Sequence, residues 1–235
     1  PVLKRGAVNN FYGQEYQNHI DQNENDAVAV TYTTNEVYGG GAVIGYGQSN
    51  VTNANIVADG FGDDAHYAEI FGGGYAAGGG TATVDNTTIT LRNVKNVGVI
   101  AGGKAMSGNF QVPALVDGKY VLQPLFSGID KFYNVDTSTI NTTSYVKNAT
   151  INMESGQVWM MWLGGEAPDN DFVSGATQTL KTDNVTLNYK DGTINGEITV
   201  PASTKKTTIN LYKDLVVANG DEVKPITIMA EASWV

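Results

Sequence analysis

The chain has no cysteine among its 235 residues, so neither a disulfide framework nor a thiolate metal site supports it. His19 and His66 are its two histidines, which leaves a zinc centre of the His/Cys kind short of ligands. Charge is scarce: 16% of residues carry it, and acids outnumber bases to give a formal net charge of −10. Phosphate would repel such a chain, which argues against a nucleic-acid partner and against docking on anionic lipid. "VWMMWL", residues 158–163, is the longest strongly apolar run, too short for a membrane-spanning helix. No secretory leader is visible; with Pro at position 1 and "EASWV" at the end, the sequence reads as a piece of a longer protein. Also missing are a G-x-S-x-G nucleophile elbow, a glycine-rich phosphate loop between strand and helix, and the calcium-binding G-G-x-G-x-D nonapeptide.

Long amphipathic helical runs are absent too, and Thr, Asn, Val and Gly dominate, a β composition with many turns. The β signal is organised as a repeat. Six segments align: "NANIVA" (53–58), "NTTITL" (86–91), "DGKYVL" (117–122), "NATINM" (148–153), "TDNVTL" (182–187) and "KTTINL" (206–211). Their central residues are Ile56, Ile89, Tyr120, Ile151, Val185 and Ile209, followed two positions on by Ala58, Leu91, Leu122, Met153, Leu187 and Leu211. The column just before the centre, from Asn55 and Thr88 to Thr208, has no apolar member. Five before the centre stand Val51, Val84, Leu115, Val146, Leu180 and Thr204, apolar in all but the last.

Alternation of apolar and polar residues is a half-buried strand, and the odd five-residue step marks a corner. Parallel strands laid one on another need a long return path, which the other sides of a coil supply. The expectation is an all-β chain: a right-handed parallel β-helix, a solenoid of about six coils with loop insertions. It reads as one domain over 1–235, with 1–30 as an N-terminal cap on an open strand edge and 104–135 as an insertion bulging from the coil.

A second strand of each coil ends in glycine. Val37-Tyr38-Gly39-Gly40-Gly41 aligns with Ile70-Phe71-Gly72-Gly73-Gly74, then with Val99-Ile100-Ala101-Gly102-Gly103 and Met161-Trp162-Leu163-Gly164-Gly165. The wide gap between the last two reads as two turns of the coil. A tight corner favours glycine for its positive φ and for close backbone approach, so glycine is expected to stack on glycine.

Chemistry is thin. Asp63 and Asp64 could form a carboxylate pair for glycoside hydrolysis, and the same two with Asp169 and Asp171 are the candidates for a hard-cation site; Ca²⁺ suits such oxygen ligands. Acids in Gly- and Asn-rich loops are more often solvated turn formers, so no catalytic residue or cofactor is assigned and the chain is expected not to be an enzyme. Five Asn-x-Ser/Thr triplets occur, at Asn50, Asn86, Asn141, Asn148 and Asn184; three belong to the repeat itself.

One feature stands above this background. If the Val37 column faces inward, Glu36, Glu69, Gly98 and Met160 face out on one side of it and Tyr38, Phe71, Ile100 and Trp162 on the other. Large apolar side chains in a ladder are unusual on a solvated face. Either the 104–135 insertion covers them, or they form a strip for an extended glycan or another surface protein. Tyr38, Phe71, Trp162 and the nearby Trp159 are the ligand-binding candidates.

The pairing of "VYGGG" and "IFGGGYAAGGGTATV" with "NTTITL" resembles the Gly-, Asn- and Thr-rich repeats of bacterial autotransporter passenger domains and related surface adhesins, over roughly residues 35–103 and 145–211. The resemblance implies a secreted or cell-surface bacterial protein, a right-handed β-helix, and adhesion or self-association as its role. A β-helical polysaccharide lyase or glycoside hydrolase is the alternative, disfavoured because the repeat core offers only His66 and Arg92 for a catalytic groove. A structural stalk that displays another domain is a third reading.

Overall fold

The computed structural model describes residues 2–4, 35–44, 47–63, 67–106, 111–116, 119–124, 141–166, 176–219, 222–223 and 228–230. Every regular element among these is a strand, as β-branched and aromatic residues in short alternating runs require. No helix among them is long and apolar enough to cross a membrane.

The described chain rotates through three sheets of parallel strands. The long-strand sheet runs β1 (Val2–Lys4), β4 (Gln48–Asp59), β7 (Thr81–Arg92), β12 (Asn141–Met153), β14 (Thr177–Tyr189) and β17 (Thr204–Leu211). The second runs β2 (Asn35–Tyr38), β5 (Ala68–Phe71), β8 (Val94–Ile100) and β13 (Gly156–Trp162), then β15 (Thr193–Ile194) and β16 (Ile198–Val200), which lead on to β18 (Val216–Asn219) and β20 (Ile228–Ala230). The third holds β3 (Ala42–Ile44), β6 (Tyr75–Ala77) and β9 (Lys104–Met106). Thus β2, β3 and β4 are followed by β5, β6 and β7, each parallel to its predecessor one circuit earlier. Two antiparallel pairs stand apart: β10 (Gln111–Val116) with β11 (Lys119–Pro124), and β18 with β19 (Glu222–Val223).

Register puts like side chains on one another. Ile56, Ile89, Ile151, Leu187 and Ile209 form one inward column. Val37, Ile70, Val99, Met161 and Ile198 form the facing column on the second sheet. Apart from Val37 and Ile209, which are partly buried against the cluster, these side chains have no exposed surface and belong to a single aliphatic core. Each contributes roughly 1.5–3 kcal/mol.

The repeat alignment needs three corrections. First, β7 pairs directly with β12, Ile89 beside Ile151, so "DGKYVL" is not a rung. Its Tyr120 pairs with Leu115 in the antiparallel hairpin of β10 and β11, and the wide gap before Gly164 is one circuit carrying that hairpin. The sixth strand of the sheet is β1, paired to β4. Second, Leu187 rather than Val185 lies beside Ile151 and Ile209. The slip is two residues, so the inward face is unchanged, and the buried Thr182 takes the place given to Leu180. Third, the proposed insertion starts too early: Lys104–Met106 is β9, parallel to β6.

The corner in the long strands falls where the five-residue step put it. Thr52, Asp85, Lys147 and Asp183 drop out of the pairing while the residues on either side stay in register. Next to the bend the asparagines make a ladder. The Nδ2 of Asn86 donates to Asn53 Oδ1 at 3.2 Å, that of Asn148 to Asn86 Oδ1 at 3.0 Å, and that of Asn184 to Asn148 Oδ1 at 3.0 Å. Three of the five sequon asparagines are therefore ladder members. Asn148→Ala breaks both of its ladder bonds and the 3.3 Å bond from its Nδ2 to Asp85 O, and is expected to cost about 1–2 kcal/mol. Asn55→Ala, which removes an exposed amide outside the ladder, should melt within about 2 °C of the parent. Calorimetry of the two variants checks this.

The glycine corners stack as expected but for one reason, not two. Gly40, Gly73, Gly102 and Gly164 are joined by backbone hydrogen bonds of 2.9, 2.8 and 2.7 Å. None of them has positive φ; the described glycines that do are Gly60, Gly62, Gly78, Gly79, Gly156 and Gly192. Close approach alone selects glycine here: a Cβ on Gly73 would lie 2.6 Å from Gly103 N and 2.7 Å from Val146 Cγ2.

Candidate functional site

Two outward columns flank the inward one on the second sheet. Tyr38, Phe71, Ile100, Trp162 and Thr199 are paired in order, and so are Glu36, Glu69, Gly98 and Met160. The sequence-derived ladder is thus a physical one. Its middle is not exposed, however. Phe71 and Ile100 have no accessible surface, so Phe71 offers no ring face to a ligand. Tyr38 stacks on Phe71 with ring centroids 4.7 Å apart, and the Lys104 ammonium lies 5.5 Å from the Phe71 centroid. Trp162 is half-buried and donates its indole N–H to Gly165 O at 3.1 Å. Whether residues 107–110 and 125–135 of the expected insertion lie over this column falls outside the described residues.

Trp159 differs from these. Between Val158 and Met160, β13 uses two steps where β8 uses one, from Val97 to Gly98. Trp159 is the extra residue of this bulge, which turns it outward. At 51% exposure it is the one tryptophan among the large exposed hydrophobics of the described residues.

Beside the buried end of the ladder lies a polar cluster. Glu36 accepts from Tyr38 OH at Oε2 and from Lys104 Nζ at Oε1, both at 2.6 Å. Burial would lower the Lys104 pKa, but the charges of Glu36 and Glu166 outweigh it and hold the value above the ordinary one. Glu69 is 9% exposed. Burial, then the charge of Glu166, push its carboxyl up to about 7, while Lys104 pulls the other way. Burial and Glu69 together raise the Tyr67 phenol, which donates to that carboxyl. Gly98 makes room for it, since a Cβ there would collide with the Tyr67 hydroxyl.

Lys104, Glu166 and Tyr75 were not picked out from the sequence, yet a signal for them exists. Each follows the last glycine of a corner: Tyr75 after Gly74, Lys104 after Gly103, Glu166 after Gly165. Extending the corner alignment by one residue would have set them in one column, as the pairing of Tyr75 with Lys104 and of Lys104 with Glu166 does.

Of the acids considered for calcium, Asp64, Asp169 and Asp171 lie outside the described residues, and Asp63 is half-buried in the segment between β4 and β5. No group of three or more His, Cys, Asp or Glu among the described residues could hold a metal ion. Comparison with known proteins gives no match to a family model, to a curated protein or to a solved structure.

Proposed function

We propose that the chain is a right-handed parallel β-helix of a secreted or bacterial cell-surface protein, a non-catalytic, adhesin-like module that binds a glycan or a protein on another surface. Support for the helical reading comes from the repeated rotation through three parallel sheets, and parallel crossovers are overwhelmingly right-handed. The six strands of the long-strand sheet favour about six coils, counted with β1 in place of residues 117–122.

The observation that carries the binding role is the bulge that turns Trp159 outward. A rigid parallel stack gains nothing in packing by lifting its largest side chain into water, whereas an exposed indole face gives a large contact area to a sugar ring or a protein surface. Trp159→Ala is expected to weaken binding on a glycan array or to a cell surface about thirtyfold, or roughly 2 kcal/mol. Its melting temperature should stay within about 2 °C of the parent, because the side chain is not part of the core. Unchanged binding would overturn the role of Trp159. A chain that binds neither glycan nor cells would be a structural stalk.

A polysaccharide-degrading reading has one observation in its favour. Glu69 holds its proton near neutral pH beside Glu36, whose two oxygens are bonded to Tyr38 and Lys104, and carboxylates in unlike environments are how acid and base roles separate. The 9% exposure of Glu69 leaves a sugar little access, so adhesion is preferred. Release of reducing sugar from a polysaccharide panel, lost in Glu69→Gln, would reverse that preference.

A further inference from the structure

Asn195 and Gly196 lie in the bend between β15 and β16, the two short strands that pair with β13 on either side of its bulge. The bend is fastened to the bulged strand at both ends. Asn195 N–H donates to Val158 O at 2.7 Å, and Met161 N–H donates to Glu197 O at 3.0 Å. Between these two bonds Gly196 lies against the Trp159 carbonyl, where a Cβ would come within 2.5 Å of the oxygen. The peptide that carries Trp159 is thus backed by a bend whose span is set by two hydrogen bonds.

An asparagine followed by glycine is prone to attack by the backbone on its own side chain. The next residue's nitrogen adds to Cγ, a five-membered imide closes, and glycine puts no Cβ in the way. The surroundings of this pair favour that step. Among the described residues the Gly196 N–H has no hydrogen-bond partner, so the nucleophile is not held in a ladder. Asn195 Oδ1 accepts from Gln157 Nε2 at 3.2 Å, which draws electron density away from Cγ, and Nδ2, the leaving group, has no partner among those residues. Both residues are half-buried, so water reaches them. The asparagines of the ladder are placed differently. Asn148 and Asn184 precede Ala149 and Val185, which carry a Cβ and lie paired in register inside β12 and β14.

We propose that Asn195 is a site of spontaneous deamidation through Gly196, and that its isoaspartyl product unfastens the bend behind Trp159. Gly196 N bonds to Asn195 Cγ, the Cγ–Nδ2 bond breaks, and the proton lost from Gly196 leaves with the amide nitrogen as ammonia. Water then opens the imide, with no oxidation or reduction at any step. Opening at Cγ gives aspartate. Opening at the backbone carbonyl gives isoaspartate, in which the main chain runs through the former side chain. That route adds one methylene between residue 195 N and Glu197 and leaves a carboxylate beside Gln157. The bonds to Val158 O and from Met161 N then no longer fit one register. The site does not depend on what Trp159 binds.

Incubation of the chain at pH 8 and 37 °C, followed by tryptic mapping, tests it. The peptide from Asp191 to Lys205 contains a single asparagine, Asn195. Its deamidation is expected to run at least about tenfold faster than that at Asn148 or Asn184, and fragmentation should show isoaspartate as the main product. In molecules carrying isoaspartate, separated by charge, the Met161 amide should exchange with solvent at least about tenfold faster than in fresh protein, with the amides of β12 unchanged as reference. Asn195→Gln, whose longer side chain does not close the five-membered ring, should show neither change after the same incubation. Equal rates at Asn195 and the ladder asparagines, or aspartate as the sole product, overturn the site, the latter because water would have acted without Gly196. Isoaspartate with unchanged exchange at Met161 overturns the unfastening. If Asn195→Gln does not fold, the parent held at pH 5, where the amide nitrogen attacks far more slowly, serves as the unmodified control.

Discussion

Ile89→Asp is expected to prevent the chain from folding to its native stack, whereas Thr88→Asp, one residue away, should fold and melt within about 2 °C of the parent. Ile89 has no exposed surface and lies between Ile56 and Ile151 in the inward column. A carboxylate there loses its water and finds no partner, and it also forfeits the roughly 1.5–3 kcal/mol that burial of the isoleucine contributes. The total, about 4 kcal/mol or more, is a large fraction of the stability of an ordinary domain. Thr88 points the other way, between Asn55 and Thr150, so an added charge stays in water. Far-UV circular dichroism and a melting curve for both variants make the comparison. Equal loss in the two would mean that the alternation of these strands has been assigned to the wrong faces.

The same alternation explains why so much of the fold is legible in the residues. Stacked parallel strands write their core as columns, and a column survives moderate errors of alignment. Placing Val185 where Leu187 belongs is a two-residue slip, which keeps a side chain on its own face. The glycine corners were found because Gly40, Gly73, Gly102 and Gly164 must approach one another closely, and a steric demand on four successive rungs leaves a visible mark. Spacing alone proved a poor guide. "DGKYVL" stands at the right distance from its neighbours, but its residues 119–122 pair with the strand just before them, β10. Alternating apolar residues fit a hairpin as well as a coil, and nothing in six residues distinguishes the two.

The polar cluster was less legible for a related reason. Glu36 and Glu69 are visible in the sequence as members of one outward column, but a column shows nothing of what pairs with their charges. Lys104 and Glu166 sit on the far side of their own corners, after Gly103 and Gly165; the corner alignment carried one residue further lines them up with Tyr75, but it does not show that the bend brings them against Glu36 and Glu69. The exposure of the aromatic ladder could not be read either. Phe71 sits in an outward column yet has no exposed surface, because alternation tells which way a side chain points and not what lies over it.

Gly73→Val should destabilise the chain by on the order of 3 kcal/mol or more, which for a chain of this size lowers the melting temperature by about 6–12 °C. The first methyl-sized atom at this position would meet Gly103 N at 2.6 Å, Gly103 Cα at 2.7 Å and Val146 Cγ2 at 2.7 Å. Two of these three are backbone, so no rotamer change relieves the contact; the rungs themselves must separate. Separation would strain the hydrogen bonds from Gly40 N to Gly73 O and from Gly73 N to Gly102 O, which tie the corner together. Gly60→Asn is the control. Gly60 has a φ of +63° with nothing within 4 Å of a Cβ, and asparagine tolerates that conformation better than other side chains, so a change under about 1 kcal/mol is expected. The contrast separates the two reasons a chain keeps glycine. If Gly60→Asn proved the more damaging, backbone conformation rather than close approach would govern the glycines of this fold. If both variants melted like the parent, the glycine-on-glycine packing at the corner would have to be given up.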